Sequence, residues 1–166
     1  SEYLMPDPAI LPRAGDADAV DVFMERWIDA ATRTDDPDIM EFARKVADND
    51  RCAPLLRGVS SNSPFLSQCL LADMNFTRRL FSSEADLIFE NILSDVDLHA
   101  ESSGAIEDVM QSLRIARRQA ALTIGLADIC GAWSLEKVTT SLSRFAETAL
   151  RAACAHLLGH ASQTGE

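Results

Sequence analysis

Asp95-Val96-Asp97 is the first pair with the types and spacing for chemistry. Two carboxylates one residue apart can chelate magnesium when they lie on a strand behind a glycine turn. Here they follow Phe89-Glu90-Asn91-Ile92-Leu93-Ser94, a helical stretch without glycine. Residues two apart on a helix point in different directions, so the pair is expected to be solvated acidic surface. His156 and His160 stand four apart, which sets two imidazoles on one helical face, as in some metal sites. Gly159 lies between them where the helix is ending, and the helix dipole favours histidine there without any metal. His99 stands at a helix end with no evident partner.

Arg114, Arg117 and Arg118 form a basic patch on one helical face that could receive a phosphate or an acidic partner. With a strongly acidic first half available, ion pairing to that half is the expectation. Asp128 is the odd residue, the one acid between Asp108 and Glu136, within Leu126-Ala127-Asp128-Ile129. Such flanks predict at least partial burial, and a buried carboxylate needs donors. The amides near Ser134, just past the following turn, are the expected ones. Neither a phosphate-binding G-x-x-x-x-G-K-[ST] loop nor a G-x-S-x-G nucleophile turn is present, and Ser60-Ser61-Asn62-Ser63 is expected to be a capping loop. Cys52, Cys69, Cys130 and Cys154 are far apart, and three have apolar neighbours, so reduced structural thiols are expected.

The elements that would position these groups are all helical. Residues 1–15 carry Pro6, Pro8, Pro12 and Gly15, which predicts an extended arm that can pack on the body without joining the core. Asp16 or Asp18 can cap a helix to about Thr34, with Val20, Phe23 and Trp27 on one face. Asp36-Pro37 and Ser63-Pro64 each pair a cap with proline at the first helical position. Short helices follow near 75–82 and 84–98. A long helix over 103–130 shows two apolar stripes, which predicts a central place in a bundle, and it stops at Gly131. Gly125 inside it costs about 1 kcal/mol of helix propensity against Ala, which implies a close helix crossing. A second long helix over 134–158 repeats Leu135, Val138, Leu142, Phe145, Ala149 and Ala152 at spacings of three and four, a seam that folds it antiparallel onto its predecessor. The fold class is all-α, a helical bundle with two long antiparallel C-terminal helices and shorter N-terminal ones. The domain reading is an arm over 1–15, one helical domain over 16–160 and a tail over 161–166.

Composition excludes more than it identifies. The 166 residues hold 15 Lys plus Arg against 26 Asp plus Glu, a net charge of −11. Residues 1–110 carry 22 acids and 9 bases, whereas residues 111–166 carry 4 acids and 6 bases. That balance repels nucleic acid and anionic membrane, so neither is an expected partner. With 47% apolar residues and no long apolar run, a soluble cytoplasmic globular protein is expected.

Four segments, in order, carry a resemblance. Asn62-Ser63-Pro64-Phe65-Leu66 precedes Leu70-Leu71, and Leu113-Arg114 precedes Arg117-Arg118 and Leu122. Then come Leu126-Ala127-Asp128-Ile129-Cys130-Gly131-Ala132-Trp133 with Leu135 and Val138-Thr139, and finally Leu142-Ser143 with Phe145-Ala146, Ala149 and Leu150. Together these resemble the bifunctional glutamine synthetase adenylyltransferase/adenylyl-removing family, its alphaproteobacterial branch most. The resemblance implies an N-terminal helical segment of a longer nucleotidyltransferase, and a chain starting at Ser1 rather than Met fits such a piece. That family adds AMP to a tyrosine of glutamine synthetase and removes it by phosphorolysis. Its glycine-turn and D-x-D motif would lie downstream, so no catalytic, cofactor-binding or metal residue is carried over, and the segment alone is expected to be inactive. Magnesium, ATP, glutamine synthetase, the PII signal protein and a downstream nucleotidyltransferase module are implied for the full-length family. The alternative is a free-standing cytosolic all-α interaction module.

Overall fold

A computed structural model describes residues 6–102 and 104–165. Among the described residues there are eight helices and no strand: α1 (Ala17–Thr32), α2 (Pro37–Asp48), α3 (Cys52–Asn62), α4 (Pro64–Ala72), α5 (Met74–Ser82), α6 (Ala85–Glu101), α7 (Ile106–Ile129) and α8 (Leu135–Thr164). The capping chemistry legible in the sequence starts most of them. Asp16 accepts from the Ala19 amide, Asp36 from Asp38, Ser63 from Leu66, Asp73 from Phe76 and Ser134 from Lys137. Pro37 and Pro64 take the first helical positions.

Helices α6, α7 and α8 pack mutually as a three-helix bundle. Helices α1, α2 and α3 pack around one another, α4 bridges α1 and α3 to α7, and α5 bridges α2 to α6. One continuous core runs through both groups. Its aromatic centre is Trp27, fully buried, whose indole N–H donates to the Ala43 carbonyl at 2.9 Å. Phe23, Trp27, Phe42 and Phe81 follow one another at centroid distances of 6.2, 6.0 and 5.8 Å.

Helix α3 spans residues to which the sequence assigned no helix. Pro54 falls in the first turn, where a missing amide costs nothing. Asn49 takes the Arg51 and Cys52 amides at 2.9 and 3.0 Å, which starts the helix. Ser60, Ser61 and Asn62 therefore end a helix rather than form a loop. Gly58 is required by the arm: a methyl group there would sit 2.5 Å from the Pro12 carbonyl oxygen. The arm is pinned further by Asn62 donating to the Arg13 carbonyl and by the Gly15 amide donating to Ser61. Leu11 is buried and belongs to the core, against expectation.

The crossing implied by Gly125 is present. A methyl group there would meet the two terminal carbons of Leu66 at 3.0 and 3.1 Å, so α4 rests on α7 at this glycine. Helix α7 is central along its second half, where Leu122, Thr123, Ile124, Leu126 and Ala127 are buried, but Ile106 and Met110 in its first turns are exposed.

Candidate functional site

The reversal between α7 and α8 is set by backbone geometry. Gly131 has φ +68°, the left-handed region that favours glycine. Its amide donates to the Asp128 carbonyl and the Ala132 amide to the Ala127 carbonyl, both at 2.9 Å, a Schellman closure. Trp133 then turns inward, 5% exposed, edge-on to Phe89 at 5.7 Å. Its indole N–H is buried without an acceptor among the described residues. Asp128 departs from expectation. Its side chain is exposed, and only its carbonyl serves the turn. Leu126 and Ala127 take the inward positions, which leaves the next residue on the outer side. The Lys137 amide beyond Ser134 is already satisfied by Ser134 itself.

Helix α8 keeps Val138, Phe145 and Ala152 of the expected seam and sets hydroxyl residues in place of its leucines. Val138, Ser141, Thr148 and Ala152 are buried and Phe145 is half-buried, a three–four repeat that includes two hydroxyls. Beside it, Lys137, Arg144 and Arg151 recur every seventh residue and pair with Asp86, Glu90 and Asp97 of α6. Arg144 is the bidentate member, at 2.6 and 3.0 Å. That contact holds the Glu90 carboxyl below the usual carboxylate range and raises Arg144. Leu135 and Leu142, expected in the seam, are 76% and 52% exposed. With Leu150 and Leu157, also exposed, they lie at spacings of seven, eight and seven along one uncovered face of α8. The sequence pattern favoured leucines for burial, but Ser141 and Thr148 take the inward positions, beside the ion pairs to α6.

The other candidates are dispersed. Asp97 pairs with Arg151 at 3.6 Å, and Asp95 contributes its carbonyl to His99 Nδ1 at 2.7 Å, so the two carboxylates do not converge. That carbonyl is also the partner His99 lacked in the sequence reading. His156 and His160 stack at 6.3 Å, and the buried His156 Nε2 has no hydrogen-bond partner. Among the described residues no group of three His, Cys, Asp or Glu side chains could hold a metal ion. The expected pairing of the arginine patch with the acidic half is not made. Arg114 reaches Gln111 at 3.3 Å, Arg117 and Arg118 make no ion pair among the described residues, and the acids of α6 pair with α8 instead. All four cysteines are free thiols; Cys52 and Cys69 are buried, Cys130 is half-buried and Cys154 is exposed. Burial pushes the Cys130 thiol up to about 12 and also raises Cys69. Exposed Phe65, on α4 beside the patch, had no signal of function in the sequence beyond its motif.

No helix among the described residues is long and apolar enough to cross a membrane. Residues 54–166 match the family model described as glutamate-ammonia ligase adenylyltransferase. The chain is 38% identical over 117 residues to a bifunctional glutamine synthetase adenylyltransferase/adenylyl-removing enzyme of Xanthobacter autotrophicus, covering 68% of this chain and 12% of that relative. A Bradyrhizobium relative of the same name is 33% identical over 63% of this chain and 11% of its own length. One from Bartonella henselae is 29% identical over 78% and 14%. The chain thus spans about an eighth of the length of these relatives. No solved structure matches it.

Proposed function

The chain belongs to the glutamate-ammonia ligase adenylyltransferase family, and from that membership we propose that it serves as a non-catalytic helical scaffold within a bifunctional glutamine synthetase adenylyltransferase/adenylyl-removing enzyme. Such an enzyme adds AMP to a tyrosine of glutamine synthetase and removes it by phosphorolysis. On this reading ATP and magnesium act in a nucleotidyltransferase module that follows, and glutamine synthetase and the PII signal protein are partners of the whole enzyme in the cytoplasm. Residues 16–160 work as one helical unit.

The uncovered leucine row of α8 carries the proposal. Leu135, Leu142, Leu150 and Leu157 are each more than half exposed along a helix whose other side is already packed. An apolar row of that length on a soluble chain marks an interaction face. The relatives supply ample chain to cover it, since the matched region is 12% of the first of them. The nucleotidyltransferase module is the proposed occupant, and seating on α8 would hold it against the bundle.

The test is Leu142→Glu with Leu150→Glu in the full-length enzyme. Phosphorolytic AMP removal should fall about tenfold, while the 166-residue chain carrying the same changes keeps its helical circular dichroism and melting midpoint. Unchanged activity would overturn the seating of the module on α8.

A further inference from the structure

Two hollows lie side by side across α4. One, between α4 and α7, has a volume of about 430 Å³ and is lined by Phe65, Gln68, Ala72 and the arginines at 114, 117 and 118. The other, between α1 and α4, is about 260 Å³, shares Gln68 and Ala72, and adds Arg26 and Arg33. Five of the chain's 15 basic residues therefore line one strip, with Asp29 the single acid in its lining. None of the five guanidinium groups makes an ion pair among the described residues. On a protein of net charge −11, this strip gathers a third of the cations around one acid, a local positive field suited to an anionic partner.

We propose that this α1–α4–α7 strip is a docking groove for an acidic polypeptide segment of a partner protein, with an apolar side chain of that segment seated on Phe65. Guanidinium forks match carboxylates in a planar, bidentate way. Phe65, 56% exposed in the hollow with Arg114, Arg117 and Arg118, is the aromatic anchor around which such a contact organises. Three neighbouring helices spaced 8–10 Å apart make the strip roughly 20 Å across, which suits an extended chain rather than a single phosphate. A nucleic acid would meet the repulsion of the remaining surface along its whole length, whereas a short acidic segment meets the strip within a screening length of about 8 Å. The inference stands on the arginine geometry and does not rest on the scaffold reading.

The test titrates the isotopically labelled chain with an acidic peptide of about eight residues, Glu and Asp around a central Leu, long enough at ~3.3 Å per residue to span the strip. Saturable shifts of the Gln68 and Arg117 amides are expected, lost when Gln and Asn replace the peptide's acids. Arg114→Glu with Arg117→Glu should weaken binding about tenfold, and Phe65→Ala should weaken it without abolishing the salt dependence. Arg44→Glu with Arg51→Glu, outside both hollows, should leave it unchanged. Absence of saturable shifts, equal weakening by the Arg44/Arg51 variant, or tighter binding of ATP or tripolyphosphate at the same amides would each overturn the proposal.

Discussion

Arg144 of α8 grips Glu90 of α6 through its two terminal guanidinium nitrogens, while its guanidinium carbon stands 5.7 Å from the centre of the Phe89 ring. The pair is more than a third exposed, so its worth is that of a surface bridge with good geometry, about 0.5–1 kcal/mol. Because the folded-state pKa of Glu90 is depressed, the contribution is present above the unfolded carboxylate value near 4.3 and is lost as pH falls through the lower folded value. Glu90→Gln should therefore lower the urea midpoint at pH 7 slightly, with the difference from wild type vanishing in strong acid. A difference that persists at pH 2 would remove this account.

Gly125 separates α7 from Leu66 by less than an added methyl group comfortably allows. Leu66 ends in flexible carbons, so Gly125→Ala should be near neutral, its gain of about 1 kcal/mol in propensity offset by the crowding. Gly125→Val has no such relief and should destabilise by about 1–3 kcal/mol in thermal denaturation.

At Gly58 the obstacle is backbone, the Pro12 carbonyl oxygen. Gly58→Ala should lift the arm, exposing Leu11 and making residues 6–15 sensitive to limited proteolysis. An arm equally protected in wild type and variant would contradict the contact.

Asp128→Ala removes an exposed side chain from a turn built on its carbonyl. The free energy of unfolding, read from chemical denaturation, should change by no more than about 0.5 kcal/mol, as for ordinary surface changes. A loss beyond about 1 kcal/mol would restore the buried carboxylate that the sequence implied.

Thiol labelling tests the burial pattern. Cys154 should react first with iodoacetamide at pH 8, and Cys130, whose thiol is pushed up to about 12, should stay unmodified until the chain unfolds.

The fold was legible where chemistry is local. Caps followed by proline at 36–37 and 63–64, glycine at 131 and the apolar stripes of α7 all act within a few residues, so a single sequence exposes them. What was missed depends on distant partners. Nothing near Gly58 reveals that Pro12 will lie across it. Nothing near Leu142 reveals that Ser141 and Thr148 will face inward while Lys137, Arg144 and Arg151 meet acids on α6. The arginine patch was visible as a patch, yet its lack of counter-charges, and its continuation through Arg26 and Arg33, exist only once α1, α4 and α7 are side by side.

The arm also orders the folding of the chain. Its seat is composite: Pro12 lies on Gly58 of α3, and Ile10 lies against Gly131 at the α7–α8 turn. Ile10 and Pro12 thus need a surface to which both α3 and the α7–α8 turn contribute, and contacts that far apart in sequence form slowly. Docking of the arm should be the closing event of folding, a latch that sets only when both halves of the bundle are already in register.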